Sequence, residues 1–233
     1  MDIDLRHRGG AVTDGRGGAS IGGPLLTRRR ALTTALTSAA VTLAAPALAG
    51  LTPTPRQTAG PFYPRTKPLD SDADLVTVAG RSEPAKGTVT HVAGRILDPD
   101  GRPLPGALVE IWQCDAFGAY HHPRDGGGRD PGFQGYGRTE SAPDGGYRFR
   151  TIRPVPYPGR TPHIHFAVTA PGRPPLITQM YVEGEPLNDG DFLLRRITDP
   201  AARAAVLVAL APAPEVEAGA LAGVFDIVLA GPA

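Results

Sequence analysis

The amino-acid sequence predicts an all-β protein, a two-sheet antiparallel β-sandwich with long loops and one short helix. Two observations predict this fold class. Glycine (30 residues) and proline (26 residues) are abundant in the 233-residue chain, and they are spread between short apolar runs, as in turn-rich β proteins. Several of these runs alternate apolar and polar positions, which is the pattern of half-buried strands.

Six segments carry the strand pattern, and turn signals separate them. The sequence DPDG at 98–101 follows the first segment, and DGG at 144–146 precedes the third. One segment, 200–210 (PAARAAVLVAL), is instead predicted to be the helix, with Asp199 as its N-cap. The predicted strands are 88–97, 107–113, 147–152, 163–169, 176–182 and 224–229.

Three regions are predicted along the chain. Residues 1–49 have the layout of a bacterial twin-arginine signal peptide: Arg28 and Arg29, a weakly apolar run over 31–45, and a small-x-small cleavage site ending at Ala49. An ordinary secretory leader remains the alternative. Residues 50–85 are rich in Pro, Thr, Asp and Gly and are interpreted as an extended arm, and residues 86–233 as the β-sandwich domain. The protein is therefore expected to be exported to the periplasm or beyond, with no membrane association after cleavage.

Charge limits the choice of partners. Residues 1–49 hold six basic and three acidic side chains, so the remaining chain carries 18 basic and 20 acidic residues. A nearly neutral chain without a basic stripe offers no footprint for nucleic acid or for an anionic membrane. The sequence therefore favours a small-molecule ligand.

The best local candidate for chemistry is His163-Ile164-His165 within a predicted strand. Side chains alternate along a strand, so the two imidazoles lie on one face, where they form half of a transition-metal site. Tyr157 comes shortly before them, in a segment that four prolines stiffen. By itself this pattern also fits a proline-rich loop leading into a structural strand.

Longer motifs bear a specific resemblance to a known family. They are LVEIWQCDAFGAY (108–120), FQGYGR (133–138), TIRP (151–154), PHIHF (162–166), LITQMY (176–181) and FDIVL (225–229). In order and spacing, over about residues 57–231, the chain resembles the intradiol ring-cleavage dioxygenases, most of all the catalytic core of protocatechuate 3,4-dioxygenase. The resemblance implies a ferric ion, Fe(III), held by Tyr120, Tyr157, His163 and His165.

The resemblance also implies an activity. Members of this family use dioxygen to split a catechol-type ring between its two hydroxyls, which gives a muconate-type diacid, so the expected partners are a small aromatic diol and dioxygen. Tyr157 would also act as a base, Arg160 would stabilise negative charge on the substrate, and Gln179 would lie beside the site. The segment between Tyr157 and Arg160 is shorter than in the family, and the protein is expected to be a homo-oligomer or a monomer.

Two other functions fit part of the pattern. A non-catalytic β-sandwich binding module of prealbumin-like type would share the strand-turn-strand sequence of 98–107, but it would have no need for two tyrosines and an HxH pair. The same side chains loaded with zinc could instead form a hydrolase. The identity of the bound metal distinguishes these alternatives from a ferric dioxygenase.

Overall fold

Residues 50–232 are described by a computed structural model, and the leader predicted for residues 1–49 lies outside them. Within this described part of the chain, ten strands form two five-stranded sheets. The strands are β1 (Val89–Leu97), β2 (Leu108–Trp112), β3 (Tyr136–Glu140), β4 (Gly146–Ile152), β5 (His163–Thr169), β6 (Leu176–Val182), β7 (Leu207–Val208), β8 (Ala211–Pro212), β9 (Leu221–Val224) and β10 (Ile227–Val228).

The first sheet is built around β1, which pairs with β4 on one side and with β9 and β10 on the other. The second sheet has the order β3-β2-β5-β6-β7. Its inward side chains, such as Ile164, Phe166 and Val168 of β5, are fully buried in the main core, to which residues of the first sheet also contribute. The predicted β-sandwich is therefore confirmed.

The sheets are mixed, which corrects the prediction of purely antiparallel pairing. β1 runs parallel to both β9 and β10, and β6 runs parallel to β7. The predicted C-terminal strand is interrupted, because β9 ends at Val224 and β10 begins at Ile227. β3, which no strand prediction covered, pairs antiparallel with β2.

The segment between β9 and β10 packs closely against Gly94 in β1. A Cβ atom at this position would collide with the carbonyl oxygen of Phe225, so only glycine allows the two backbones to come this close. The same carbonyl accepts a hydrogen bond from the Tyr147 hydroxyl at 2.5 Å. Asp226 accepts one from the backbone N–H of Arg95 at 2.8 Å.

The predicted helix is shorter than expected. Asp199 caps it as predicted, accepting a hydrogen bond from the backbone N–H of Ala202 at 2.7 Å, but the α-helix α1 covers only Pro200–Ala204. Residues 207 and 208 instead extend the second sheet alongside Tyr181 and Val182. No helix within residues 50–232 is long and apolar enough to cross a membrane.

Residues 50–85 contain no helix or strand element, in keeping with an extended arm, yet they pack tightly on the sandwich. Leu75 and Val76 are buried in the main core. Leu75 donates a backbone hydrogen bond to Arg150 and accepts one from Gln134, at 2.8 and 2.9 Å. The arm is therefore an integral part of the described fold.

Candidate metal centre

Two histidines of β5 lie side by side on the outer face of the second sheet. His163 and His165 are both buried, while Ile164 between them points into the main core. Their Nε2 atoms are 3.2 Å apart. Nitrogen atoms bound at roughly right angles to one first-row metal ion, each about 2.1 Å from it, have a similar separation.

Both imidazoles are held in the neutral form. Burial, together with the nearby Arg160 guanidinium, lowers the pKa of His163 to about 4. Burial and the neighbouring His163 lower the pKa of His165 well below its ordinary value. His163 Nδ1 lies 2.6 Å from the carbonyl oxygen of Thr161, which fixes its proton there and leaves Nε2 with a lone pair.

Two tyrosines complete the group. Tyr120 comes from the loop between β2 and β3, and Tyr157 from the proline-rich loop between β4 and β5. The Tyr120 ring lies 5.6 Å from the Tyr157 ring and 6.2 Å from the His165 ring, between centroids. Tyr157 is 5.5 Å from His163 by the same measure. The four side chains predicted as metal ligands therefore lie together in one cluster.

These residues fit a ferric ion. The Tyr120 hydroxyl is buried without a hydrogen-bond partner among the described residues, so its oxygen is available to a metal. Burial raises the pKa of both phenols, and a bound trivalent cation would favour their anions. Within residues 50–232, no group of three or more His, Cys, Asp or Glu side chains could hold a metal, so a centre there needs the phenol oxygens.

Arg160 is fixed beside the centre by three contacts. Its Nε donates to Asp191 at 2.8 Å, its Nη2 to the side-chain oxygen of Gln179 at 2.5 Å, and its Nη1 approaches the Tyr157 hydroxyl at 3.4 Å. The Arg160 side chain is only 8% exposed, and that of Asp191 is fully buried. Sequence reasoning missed Asp191, because nothing in its local pattern marks an acidic side chain as the partner of an arginine 31 residues away.

Gln179 of β6 connects the centre to the arm. Its amide oxygen accepts hydrogen bonds from Arg160 and, at 3.2 Å, from the Tyr181 hydroxyl. Its amide nitrogen donates to the carbonyl oxygen of Thr58 at 3.2 Å, and Gln57 donates to the Tyr181 hydroxyl at 2.8 Å. Gln179 therefore lies next to the predicted ligands, as expected, with its polar atoms engaged.

The arm covers the centre with aromatic rings, which sequence reasoning did not anticipate. Phe62 stacks on Tyr120 with ring centroids 4.5 Å apart, and Tyr63 packs edge-on against Trp112 at 4.8 Å. Trp112 in turn stacks on His165 at 4.8 Å, with the rings nearly parallel. The sequence motif AGPFYP at 59–64 offered an aromatic pair as a signal, but it did not show where the pair packs.

A cleft of about 220 Å³ reaches the centre from the surface. Tyr157 and Arg160 line it together with Leu187 and Asp191, whereas Tyr120 does not. Two neighbouring histidines take no part in the centre: His121 packs against Phe133, and the backbone N–H of Arg124 donates to Nδ1 of His122. The cleft therefore presents one phenol and one guanidinium to an incoming molecule.

The fold and these side chains together define a β-sandwich protein with a buried tyrosine–histidine cluster suited to a metal ion. A family model described as "Dioxygenase" matches residues 58–231. The chain is 38% identical over 172 residues to the protocatechuate 3,4-dioxygenase beta chain of Burkholderia cepacia, covering 69% of this chain and 72% of that protein. It is also 38% identical over 151 residues to hydroxyquinol 1,2-dioxygenase of Nocardioides simplex, covering 57% of this chain but only 48% of that protein.

Solved structures of dioxygenases superpose on this chain. The dioxygenase domain of a dioxygenase and carbohydrate-binding protein fusion from Streptomyces sp. SirexAA-E superposes with a TM-score of 0.61 at 36% identity, covering 77% of this chain and 99% of that one. Catechol 1,2-dioxygenase from Acinetobacter sp. ADP1 gives a TM-score of 0.60 at 29% identity, covering 76% and 63%. The chain belongs to the intradiol ring-cleavage dioxygenase family, as its sequence motifs indicated.

Proposed function

We propose that this protein is a non-haem iron(III) dioxygenase that cleaves a catechol-type ring between its two hydroxyls and yields a muconate-type diacid. The observation that carries the proposal is the convergence of Tyr120, Tyr157, His163 and His165, two of them neutral imidazoles and one a buried phenol without a partner. Bound by these four side chains, Fe(III) would hold the catechol as a dianion and make its ring reactive towards dioxygen.

Tyr157 is suited to accept a proton from the substrate. Of the two phenols, it is the one that lines the cleft and is partly exposed, while Tyr120 lies buried beneath Phe62. Arg160 Nη1, 3.4 Å from the Tyr157 hydroxyl, favours the phenolate that a base requires. An incoming diol therefore meets Tyr157 before Tyr120.

Arg160 supplies a cation that is already oriented. Asp191 and Gln179 hold its guanidinium at the wall of the cleft, so it has no freedom to lose when negative charge develops on the ring. Such preorganised charge is often the largest single contribution to a rate enhancement. A non-catalytic binding module would gain nothing from this arrangement.

The decisive experiment is metal analysis combined with visible absorption. Protein purified aerobically and loaded with ferrous or ferric salt is expected to hold iron and to show the broad tyrosinate-to-iron charge-transfer band that gives a burgundy colour. A colourless protein without iron after this treatment would exclude the proposal. Stoichiometric zinc without the band would favour a hydrolase at the same four side chains.

Two variants with the same chemical change locate the chromophore. Tyr157→Phe is expected to remove much of the band and to slow ring cleavage by about 10²-fold or more, the usual contribution of a general base. Tyr147→Phe removes a hydroxyl that bonds to the Phe225 carbonyl oxygen in the main core, so the band should stay intact. Equal spectra for both variants would contradict the assignment of Tyr157.

We propose in addition that residues 1–49 direct export, by the twin-arginine route, to the periplasm or the medium. Support comes from the Arg28-Arg29 pair, the weakly apolar run after it and the cleavage site at Ala49. Substrates of an exported dioxygenase would be soluble aromatic diols met outside the cytoplasm.

A further inference from the structure

A second cluster of polar side chains, separate from the tyrosine–histidine centre, joins the arm to the second sheet. The buried carboxylate of Glu110 in β2 accepts hydrogen bonds from Lys67 Nζ at 2.7 Å, the Tyr136 hydroxyl at 2.5 Å and the Tyr63 hydroxyl at 3.2 Å. The Lys67 ammonium lies 3.7 Å from the centroid of the Tyr63 ring and 4.5 Å from that of Tyr136. We call these four residues the latch.

The latch is an ion pair in which the carboxylate is buried and the ammonium is partly open to solvent, with 34% of the Lys67 side chain exposed. Burial of Glu110 acts to raise its pKa, but hydrogen bonds from Lys67 and Tyr136 outweigh burial, so the pKa lies below its ordinary value and the carboxylate is charged. Removing Lys67 leaves the buried carboxylate with the Tyr136 and Tyr63 hydroxyls as its remaining donors, which costs more than the loss of a fully exposed pair. Two aromatic rings add cation–π attraction to the ammonium.

The latch contacts the centre through two consecutive arm residues. Tyr63 belongs to the latch and also packs against Trp112, which stacks on His165. Phe62, the residue before it, stacks on Tyr120. Lys67 follows Tyr63 by four residues, so its bond to Glu110 adds to the hydroxyl contact of Tyr63 in holding both rings over the predicted metal ligands.

We infer that Lys67 and Glu110 are positioning residues, whose ion pair holds residues 58–67 of the arm closed over the centre and thereby fixes the rings of Tyr120 and His165. The inference rests on the proposed function where it concerns metal retention. Attachment of the arm is a property of the folded chain and can be measured without any metal.

The chain contains its own probe for this attachment. Trp112 is the only tryptophan in the sequence, and it lies between Tyr63 and His165. Arg65 and Thr66 are exposed, but proteolysis needs the local backbone to open, so the rate of tryptic cleavage at the Arg65–Thr66 bond measures detachment of the arm. Lys67→Met is expected to increase acrylamide quenching of Trp112 and to accelerate cleavage at Arg65–Thr66 roughly tenfold or more, the effect of losing a hydrogen bond to a charged group.

Three comparisons make the result specific. Lys67→Arg keeps the charge and should restore slow cleavage and weak quenching. Glu110→Gln should reproduce the effect of Lys67→Met from the other side of the pair. Lys86→Met is the matched control, because its pair with Glu83 is open to solvent, with 57% of the Lys86 side chain exposed, and neither measurement should change.

Iron retention supplies the last measurement. Lys67→Met loaded with iron should lose it to a chelator about tenfold faster than the parent protein, with the charge-transfer band decaying in step. If Lys67→Met and Glu110→Gln leave quenching and cleavage unchanged, the inference is overturned, even when the parent protein binds iron. If quenching and cleavage change in the two variants but the parent protein binds no iron, the role of the latch in positioning the arm stands and the proposed function fails.

Discussion

At the scale of single residues, the chemistry of the cleft depends on how Arg160 is held. Its guanidinium meets Asp191, Gln179 and the Tyr157 hydroxyl through three different nitrogen atoms. Lysine carries the same charge on a single point and cannot make this set of contacts. The site therefore depends on the position of the Arg160 charge as well as on its sign.

Arg160→Lys is expected to lower kcat/KM for a catechol about 10²-fold, since one preorganised electrostatic contact would be lost while the net charge stays the same. Ring cleavage can be followed by the absorbance of the diacid, alongside the melting temperature. Arg173→Lys is the control: its guanidinium bonds to the Ala230 carbonyl oxygen and approaches Asp98, and neither residue lines the cleft. Equal losses in the two variants would count against a catalytic role for Arg160.

Other residues of the site could be predicted to different degrees. The spacing of His163 and His165 predicts one shared face from strand geometry alone, and the structure places them so. Tyr157 stands out locally as the tyrosine of the proline-stiffened segment before the two histidines, but only the resemblance of longer motifs supplies Tyr120 and assigns both phenols to the metal. Asp191 could not be foreseen, since a buried ion pair between distant residues leaves no periodic signal in the sequence.

At the scale of elements, the close approach of β1 to the segment between β9 and β10 depends on Gly94. Alanine there would force its Cβ against the Phe225 carbonyl oxygen, a backbone atom that cannot turn aside. Gly94→Ala is expected to lower the free energy of unfolding by about 3 kcal/mol, the upper range for overpacking in a well-packed interior.

Urea denaturation measures this change directly. Gly128→Ala is the matched control, because a Cβ on Gly128 would meet no atom within 4 Å and should cost little. A midpoint for Gly94→Ala equal to that of the parent protein would show that the two backbones separate without cost.

A cluster of charged side chains connects β4, the loop before β9, the arm and β1. Arg150 of β4 donates hydrogen bonds to Glu217, in the loop before β9, at 2.6 and 2.8 Å, and to Asp74 of the arm at 3.0 Å. His91 of β1 also contacts Glu217, at 2.9 Å. Hydrogen bonding from Arg150 lowers the pKa of Glu217 to about 2, from an ordinary value of 4.5.

The sign of the pH dependence follows from this lowered pKa. A carboxylate with a lower pKa in the folded chain stabilises it above the unfolded value, and the contribution is lost as the pH falls from 4.5 towards 2. Glu217→Gln should therefore reduce stability by about 1 kcal/mol at pH 7, and its difference from the parent protein should shrink below pH 4.5. Urea midpoints between pH 7 and 3 test this, with the exposed Glu140→Gln as control; a constant difference would contradict it.

Several elements followed from sequence pattern and others did not. β5 and β6 appear at their predicted bounds, since buried strands flanked by turns are explicit in the sequence. The alanine-rich segment after Pro200 predicts a helix over 200–210, but the helix ends at Ala204 because Leu207 and Val208 pair with the edge of β6, and tertiary contact overrides helix propensity. β3 was missed because Gly137 interrupts its apolar pattern, yet glycine is needed there, where a Cβ would press on the Asp72 carbonyl oxygen and Leu75.

At the scale of the whole molecule, the predicted export depends on residues 1–49, which lie outside the described residues. Arg28→Lys with Arg29→Lys keeps the charge of the predicted leader and removes only the arginine pair. In a bacterial host we expect this double variant to stay in the cytoplasm, whereas Arg6→Lys should be exported like the parent chain. Cell fractionation measures where each variant accumulates, and the mass of the exported protein tests whether it begins at Gly50. Export of the double variant would point to an ordinary secretory leader.

The arm also determines when the centre can form during folding. Gln57 bonds to Tyr181 across 124 positions of sequence, and the Thr54 hydroxyl accepts a hydrogen bond from Val228 across 174. Contacts this distant close last, because each needs a large loop to be ordered before it contributes any stability. β5 and β6 are neighbours in the chain, so we expect His163 and His165 to pair with β6 before the arm covers them. A newly made chain is then expected to expose its imidazoles to metal ions until the arm closes over them.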